Sequence, residues 1–445
     1  MTVTEQAPGG RLRLLSSAWR SGPLSVPAFR LLTLGQFTSN VGDYCYAVAL
    51  PWLVLSNHGD AASLGVVLAC YGIPRAALML PGGSLADRFG SRTMMLVSDT
   101  VRCVLTAAFA VLAAAHVSSI AILGPVAAVL GAAAATFMPA SAALMPSLVD
   151  GAQLTSANGI FAGFVQVGSI LGPVLGGVLV ATAGPAPAFA ADAWSYLVSA
   201  LSLLLISGAA RRTGPGTGET GADTVPPEAA DEATASQDGA PAVSDTAAVS
   251  LWTLLRRERI LQIILVVVVA ANFALTGTTE VTLPALAHAR YGADGYGAVL
   301  TCIAVLSIIG ALGVARVGDR FPPATLIGSA FVVAAVAIAV APFLGGLPGL
   351  AAALAVFGLA VGFDQVVSVT VIQRWAPPDM LGRVWGLLLL AATGSFPLST
   401  IIAGQLVRHL GPTPVFPISG AVLALAMLWG LAHREFREFG TDKRS

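Results

Sequence analysis

The sequence predicts an all-α, polytopic membrane protein in which twelve spanning helices form two pseudo-symmetric six-helix bundles. Three observations point there. Of 445 residues, 56% are hydrophobic and only 10% charged, against about 25% charged in a typical soluble domain. Apolar runs long enough for a bilayer core, which takes about 20 helical residues, occur twelve times. Landmarks of the first half also recur in the second at a nearly constant offset.

The runs lie at roughly 29–55, 61–83, 93–115, 119–144, 159–183, 186–208, 260–287, 296–317, 324–344, 347–372, 384–407 and 413–432. They divide the chain into an N-terminal segment (1–28), a first bundle (29–208), a linker (209–250), a second bundle with a short lead-in helix (251–432) and a tail (433–445). The N-terminal segment has Arg11, Arg13 and Arg20 but no apolar core of signal-peptide type, so it reads as uncleaved. Cytoplasmic loops collect Lys and Arg. With the N-terminus inside, that side receives Arg88, Arg92, Arg211, Arg212, Arg316, Arg320, Arg374, Arg383 and Arg434 among others, and the opposite face only Arg290 and Arg408. The expected location is the inner (cytoplasmic) membrane, multi-pass, with both termini cytosolic.

Residues 214–250 hold seven acidic side chains, no basic one, and repeated Gly, Pro and Ala. Such a stretch buries too little apolar surface to offset its ordering entropy, which predicts a disordered cytoplasmic linker. Leu251, Trp252, Leu254 and Leu255 then run into Arg256, Arg257 and Arg259, a pattern suited to a helix in the headgroup layer.

Several function classes are disfavoured. The formal net charge is zero, leaving no global field to gather nucleic acid. Cys45, Cys70, Cys103 and Cys302 sit in apolar runs without metal or redox spacing. The only lysine is Lys443, so no nucleotide-binding loop exists, and the five histidines show no ligand spacing. Neither an enzyme nor a cofactor is expected.

Duplication is visible in two places. Leu85-Ala86-Asp87-Arg88-Phe89 is matched by Val317-Gly318-Asp319-Arg320-Phe321, 232 positions later, and Ala49-Leu50-Pro51 by Thr282-Leu283-Pro284, 233 positions later. Parallel repeats of this kind place a substrate site at mid-membrane between the halves.

PGGSLADRFGSR (81–92) resembles the loop signature of the major facilitator superfamily. The segments at 34–55, 138–160, 191–200 and 373–386 are similar to those of its macrolide-efflux and siderophore-exporting branch, whose members are drug:proton antiporters. Gly82 and Gly83 should permit a tight exit from span two, and Asp87 should accept helix-terminal amides. The resemblance implies a cytoplasmic gate motif of Gly83, Asp87, Arg88, Gly90 and Arg92. In it, Asp87 latches onto the start of span eleven, near Arg383, when the outside is open. The second copy, Asp319 and Arg320, is followed by two prolines and should latch more weakly. In span five, Gly168, Gly172 and Gly176 share one face, and small residues at that spacing admit a close neighbour. Together with Pro173, which frees the Ser169 carbonyl and invites a bend, and Gly177, they resemble the superfamily's antiporter motif. There the bent helix packs on the partner half.

An ionisable side chain at the bilayer centre costs about 2.5–3.5 kcal/mol on insertion scales, so each one asks for a partner or a task. Asp43 and Arg75 lie at similar depth and are expected to pair; Asp99 and Arg102, spaced i,i+3, should neutralise each other. Asp192 reads as structural. Glu280, beside Gly277, Thr278 and Thr279 with no first-half arginine at matching depth, ranks first as a proton or cation site. Its competing role is to cap a break before Pro284. Asp364, on a span that lines the cavity by resemblance, is placed to select a cationic group. Span four lacks the arginine that many proton-coupled drug exporters carry there. Phe37, Tyr44, Phe137, Phe273, Phe357 and Phe363 are candidates for an apolar wall.

The leading expectation is a monomeric secondary transporter that exports a small, largely apolar molecule in exchange for protons. The alternatives are an uptake symporter on the same fold and a non-transporting sensor or scaffold whose acidic linker is the output.

Overall fold

A computed structural model describes residues 22–56, 60–210, 258–317, 320–376 and 380–439. The N-terminal residues 1–21, positions 211–257 with the predicted acidic linker and lead-in helix, Asp319 and the tail residues 440–445 lie outside the described residues.

Twelve long helices account for almost all of the rest: α1 (Pro27–Ser56), α2 (Ala61–Phe89), α3 (Ser91–Ala114), α4 (Ile120–Leu144), α5 (Leu154–Ala183), α6 (Pro185–Ala210), α7 (Arg259–Arg290), α8 (Gly292–Val317), α9 (Pro323–Val340), α10 (Gly346–Trp375), α11 (Leu381–Leu410) and α12 (Pro412–Ala432). A single turn, α13 (Arg434–Arg437), follows. Eleven are long and apolar enough to cross a membrane. The exception is α1, whose 30 residues would reach about 45 Å but whose run is interrupted by Gln36, Thr38, Ser39, Asn40 and Asp43.

Within each half the helices pair in the same pattern. In the first bundle α1 packs on α5 and α6, α2 on α4, and α3 on α4 and α6; in the second α7 packs on α11 and α12, α8 on α10, and α9 on α10 and α12. Adding six to each number of the first set gives the second, so the duplication read from two short motifs extends to the packing. The halves meet through α2 against α11 and α5 against α8, which are again equivalent under the same shift. Polar ties reinforce the pairs. The Thr278 hydroxyl reaches Ser419 Oγ at 2.7 Å between α7 and α12, and the Ser98 hydroxyl donates to the Ala133 carbonyl at 2.8 Å between α3 and α4.

Where the halves touch decides what shape they enclose. Take the face at which α1 begins as the near face and the opposite one as the far face. In the far half, backbones come close enough to require glycine: a Cβ on Gly65 would stand 2.3 Å from the Thr400 carbonyl oxygen, and one on Gly297 would stand 2.4 Å from that of Pro173. In the near half of the same four helices, a Cβ on Gly83, Gly159, Gly163, Gly313, Gly382, Gly386 or Gly394 would meet nothing within 4 Å. The bundles are joined at the far face and splayed at the near one.

Candidate functional site: a polar axis between two bundles

The first bundle holds its charges together. Asp43 on α1 accepts from Arg102 Nη2 on α3 at 2.7 Å and from the Tyr196 hydroxyl on α6. The guanidinium lies 4.1 Å from the Tyr196 ring centre and 5.2 Å from that of Phe137, and 3.6 Å from Asp99 Oδ1. Asp99 Oδ2 accepts from Ser199 at 2.6 Å. Asp192 on α6 is wholly buried and receives a long contact from Ser195 Oγ at 3.4 Å. Two carboxylates therefore pair with one arginine, but they differ in access: the Asp43 side chain is 41% exposed and that of Asp99 is 0%.

This corrects the expected Asp43–Arg75 pair. Helix α1 turns Asp43 toward Arg102 of α3 and Tyr196 of α6, whereas α2 packs on α4 and α11. Arg75 instead lies 5.6 Å from the ring centre of Tyr71 and within electrostatic range of Glu280 on the opposite half. The sequence puts no first-half arginine at the depth of Glu280, and Arg75 nevertheless comes within electrostatic range of it. Glu280 belongs to a π-helical turn, Thr278–Thr282, within α7. Pro284 follows it and has no N–H to donate to the Glu280 carbonyl, a cause for widening the helix here; single π turns of this kind recur at functional sites. Tyr44 of α1 and Tyr296 of α8 also lie within its electrostatic range. Glu280, Arg75, Tyr44 and Tyr296 thus come from four helices and both halves.

Asp364 is separate from this axis. It accepts from Ser368 at 3.0 Å and lines a cavity of about 470 Å³ inside the second bundle. Among the aromatic candidates, Phe37 meets Phe164 edge-on at 5.6 Å and stays half-buried with Tyr44, Phe273 and Phe363. Phe137 and Phe357 are buried inside their bundles, so they do not belong to a wall of the central space.

The gate motif is splayed open. Helix α2 continues through Gly83 to Phe89, and the tight turn falls at Gly90, with φ +84°, not at Gly82 and Gly83 as expected. Gly82 is instead a packing position, since a Cβ there would come 3.1 Å from the Ala135 carbonyl oxygen of α4. Asp87 and Arg88 are exposed. Asp87 caps no helix end among the described residues, because the following helix starts one turn of chain beyond it at Gly90. Arg92 donates to the carbonyls of Leu203, at 2.7 Å, and Leu204, which ties α3 to α6 within its own half. Arg320 is exposed, and the Arg383 side chain lies outside the described residues.

The antiporter-like face is divided between two neighbours. Cβ atoms on Gly168, Gly172 and Gly176 would strike Asn40, Tyr44 and Cys45 of α1, so that stripe packs within the first bundle and not on the partner half. The adjacent face, Pro173 and Gly177, meets Gly297 and Ala293 of α8 across the divide. Residues that composition did not single out complete the far closure. Trp52 stacks on Tyr296 with ring centres 5.7 Å apart, Ser56 Oγ lies 3.1 Å from His288 Nε2, and Arg408 Nε lies 3.2 Å from Asp60 Oδ2. The sequence signal for them was position alone, at the far ends of α1, α2, α7, α8 and α11.

Known proteins share both this sequence and this fold. The multidrug efflux pump Tap of Mycobacterium tuberculosis is 27% identical over 408 residues, 90% of each chain. That of Mycolicibacterium fortuitum is 26% identical over 422 residues, 92% of this chain and 94% of its own. A bacterial homologue of the iron transporter ferroportin, in its inward-facing state, superposes with a TM-score of 0.69 at 15% identity, covering 93% of this chain and 99% of the other. The nucleoside transporter NupG gives 0.67 at 14%, covering 91% and 99%; both show the shared two-bundle fold. The family model described as Major Facilitator Superfamily matches residues 32–363 and 281–443, and the chain belongs to that superfamily.

Proposed function

We propose that this protein is a multidrug-type exporter that expels small, largely apolar molecules in exchange for protons, by rocking its two bundles about the central axis. In this reading it is a monomer of the cytoplasmic membrane, both termini face the cytosol, and the splayed near face is the cytosolic one. The curated efflux relatives support the direction of transport. What supports the mechanism is the placing of Glu280 and Arg75, a carboxylate and a guanidinium from opposite halves, within electrostatic range of each other between bundles joined on one side only. A group of that kind can exchange a proton or engage substrate only as the halves separate and rejoin.

The roles of the motifs follow from the same motion. When the far face opens, Asp87 swings toward the start of α11 and latches near Arg383, with Asp319 and Arg320 forming the weaker mirror contact at α8. Gly177 and Pro173 serve the far closure. The test is fluorescence of ethidium in inverted membrane vesicles with an imposed inward-acid gradient. The wild type accumulates the dye and Glu280→Gln does not; accumulation without a gradient, or undiminished in Glu280→Gln, rejects proton exchange at this residue. Dye movement in the opposite sense would favour uptake.

A further inference from the structure

Where α1, α3 and α6 meet, the first bundle holds more acid than base. Asp43 and Asp99 share Arg102, and the charge left over falls on Asp43, whose side chain reaches water. Asp192 has neither resource. It is 0% exposed, and among the described residues no cation lies within ion-pair distance of it. Its Oδ1 presses on the backbone of α1, 2.6 Å from where a Cβ on Gly42 would stand, and its Oδ2 is buried without a hydrogen-bond partner. The neighbouring hydroxyl is engaged elsewhere: Ser195 donates at 2.7 Å to the main-chain carbonyl of Asp192 and leaves the carboxyl only the 3.4 Å contact.

Helices α1, α3 and α5 pack on α6. The titratable groups they bring within electrostatic range of Asp192 are Asp43, Cys45 and Tyr46 of α1 and Asp99, Arg102 and Cys103 of α3; α5 carries none, and α6 itself adds Tyr196. Ionising Asp192 would set three carboxylates against one guanidinium, with the third charge out of reach of water. A buried carboxylate with neither counter-ion nor full set of donors is the least favourable state open to it, whereas the neutral acid leaves only a loosely held hydroxyl. No group of three or more His, Cys, Asp or Glu placed to hold a metal ion occurs among the described residues, which leaves a proton as the balancing charge. Two more buried atoms of the group, Arg102 Nε and Asp99 Oδ1, also lack hydrogen-bond partners, so a donor and an acceptor stand free to follow a change of charge at Asp192.

We infer that Asp192 is a proton-binding site, a neutral acid inside the first bundle that exchanges its proton with water through Asp43. The site stands apart from Glu280 and from the export reading, and it adds a proton held by one half alone. On release the proton goes to water at Asp43. The carboxylate left behind competes with Asp99 for Arg102, so that α3 as well as α6 responds to the loss.

The test is infrared spectroscopy at neutral pH on the purified full-length protein in lipid nanodiscs, isotope-labelled at the aspartate carboxyl carbons. The difference between wild type and Asp192→Asn contains the carbonyl stretch of a protonated, labelled aspartate. Asp192→Glu, which keeps the acid, moves that band to the unlabelled position. A wild type without any protonated-aspartate band overturns the site with no variant needed, as does a difference spectrum that contains only carboxylate stretches. In deuterated buffer the band shifts, and Asp43→Asn slows the shift on the order of 100-fold, the lower end of what a positioned proton-transfer group contributes. A band that never shifts overturns exchange, and equal rates in both proteins overturn the route through Asp43. Protonation is read apart from transport: vesicles that accumulate no dye, with the Asp192 band intact, sink the export reading alone, and accumulation with the band absent sinks the site alone.

Discussion

Removing Arg102 tests how the first bundle is held together. Among the described residues its guanidinium is the sole cation within ion-pair distance of both Asp43 and Asp99. Arg102→Gln leaves the two carboxylates in different surroundings: Asp43 is 41% exposed and can hydrate, whereas Asp99 is sealed from solvent. Breaking a buried pair by deleting one partner costs about 3–5 kcal/mol, and in this case nearly all of it falls on Asp99. For a bundle of this size, about 2–4 °C of melting temperature per kcal/mol converts that to a drop of roughly 6–20 °C. Tryptophan fluorescence during thermal unfolding in detergent provides the measurement. The double variant Asp99→Asn/Arg102→Gln should recover most of the loss, and Asp43→Asn/Arg102→Gln little of it. Equal recovery by both doubles would falsify the argument, since burial would then not decide where the cost lies.

Other perturbations reach the two faces. Gly297→Val sets a side chain against the Pro173 carbonyl, 2.4 Å from the Cβ position, and should hold the far ends of α5 and α8 apart while each bundle stays folded. Spin-label distances across the far face lengthen and export stops; unchanged distances contradict the steric reading. With that face propped open, Asp87→Cys and Arg383→Cys combined should cross-link, and they should fail to do so in the otherwise unmodified chain; cross-linking at the same rate in both refutes the latch. Asp60→Ala removes the helix cap on Ser63, whose amide donates at 2.8 Å, and frees Arg408. With side chains 43% and 57% exposed, water screens the ion pair, so the cap, typically about 1 kcal/mol, dominates. Hydrogen bonding from the Ser63 amide holds the Asp60 carboxyl below its ordinary value. Its folded value being the lower one, the contribution is complete above the unfolded value of about 3.9 and fades as pH falls through the folded one. Protection of the first-turn amides of α2 against exchange should fall at acid pH in the wild type, and a pH-independent protection ratio between wild type and Asp60→Ala counts against this.

Much of the architecture was legible because lipid imposes a simple code. Span number, the halves and their register followed from apolar length and from Asp87 recurring at Asp319. Partner choice was less legible. Arg75 and Arg102 both lie within a side chain's reach of the depth of Asp43, and only the rotation of α1 about its axis, set by its packing on α5 and α6, selects Arg102. The same applies to Gly168, Gly172 and Gly176, whose spacing announces a close neighbour without saying that it is α1. Gly83 and Gly90 show the limit for turns: either glycine could end α2, and Gly82, pressed on α4, keeps the helix going past the first. Glu280 stood out by chemistry alone, yet its neighbour Arg75 comes from the other half, 205 positions earlier in the chain, where no local pattern reaches.

The polar character of α1 bears on how the chain is made. Translation delivers α1 to the bilayer first, but Arg102 follows 59 residues later and Tyr196, 153 residues later. Until Arg102 has emerged from the ribosome Asp43 has no counter-ion, and until Tyr196 has emerged it lacks its second donor, so the nascent helix lacks the greasiness to leave the insertion channel unaided. Biogenesis of this half therefore has to wait for α6, and a nascent chain halted after α2 should release α1 to alkaline extraction, while one halted after α6 should keep it.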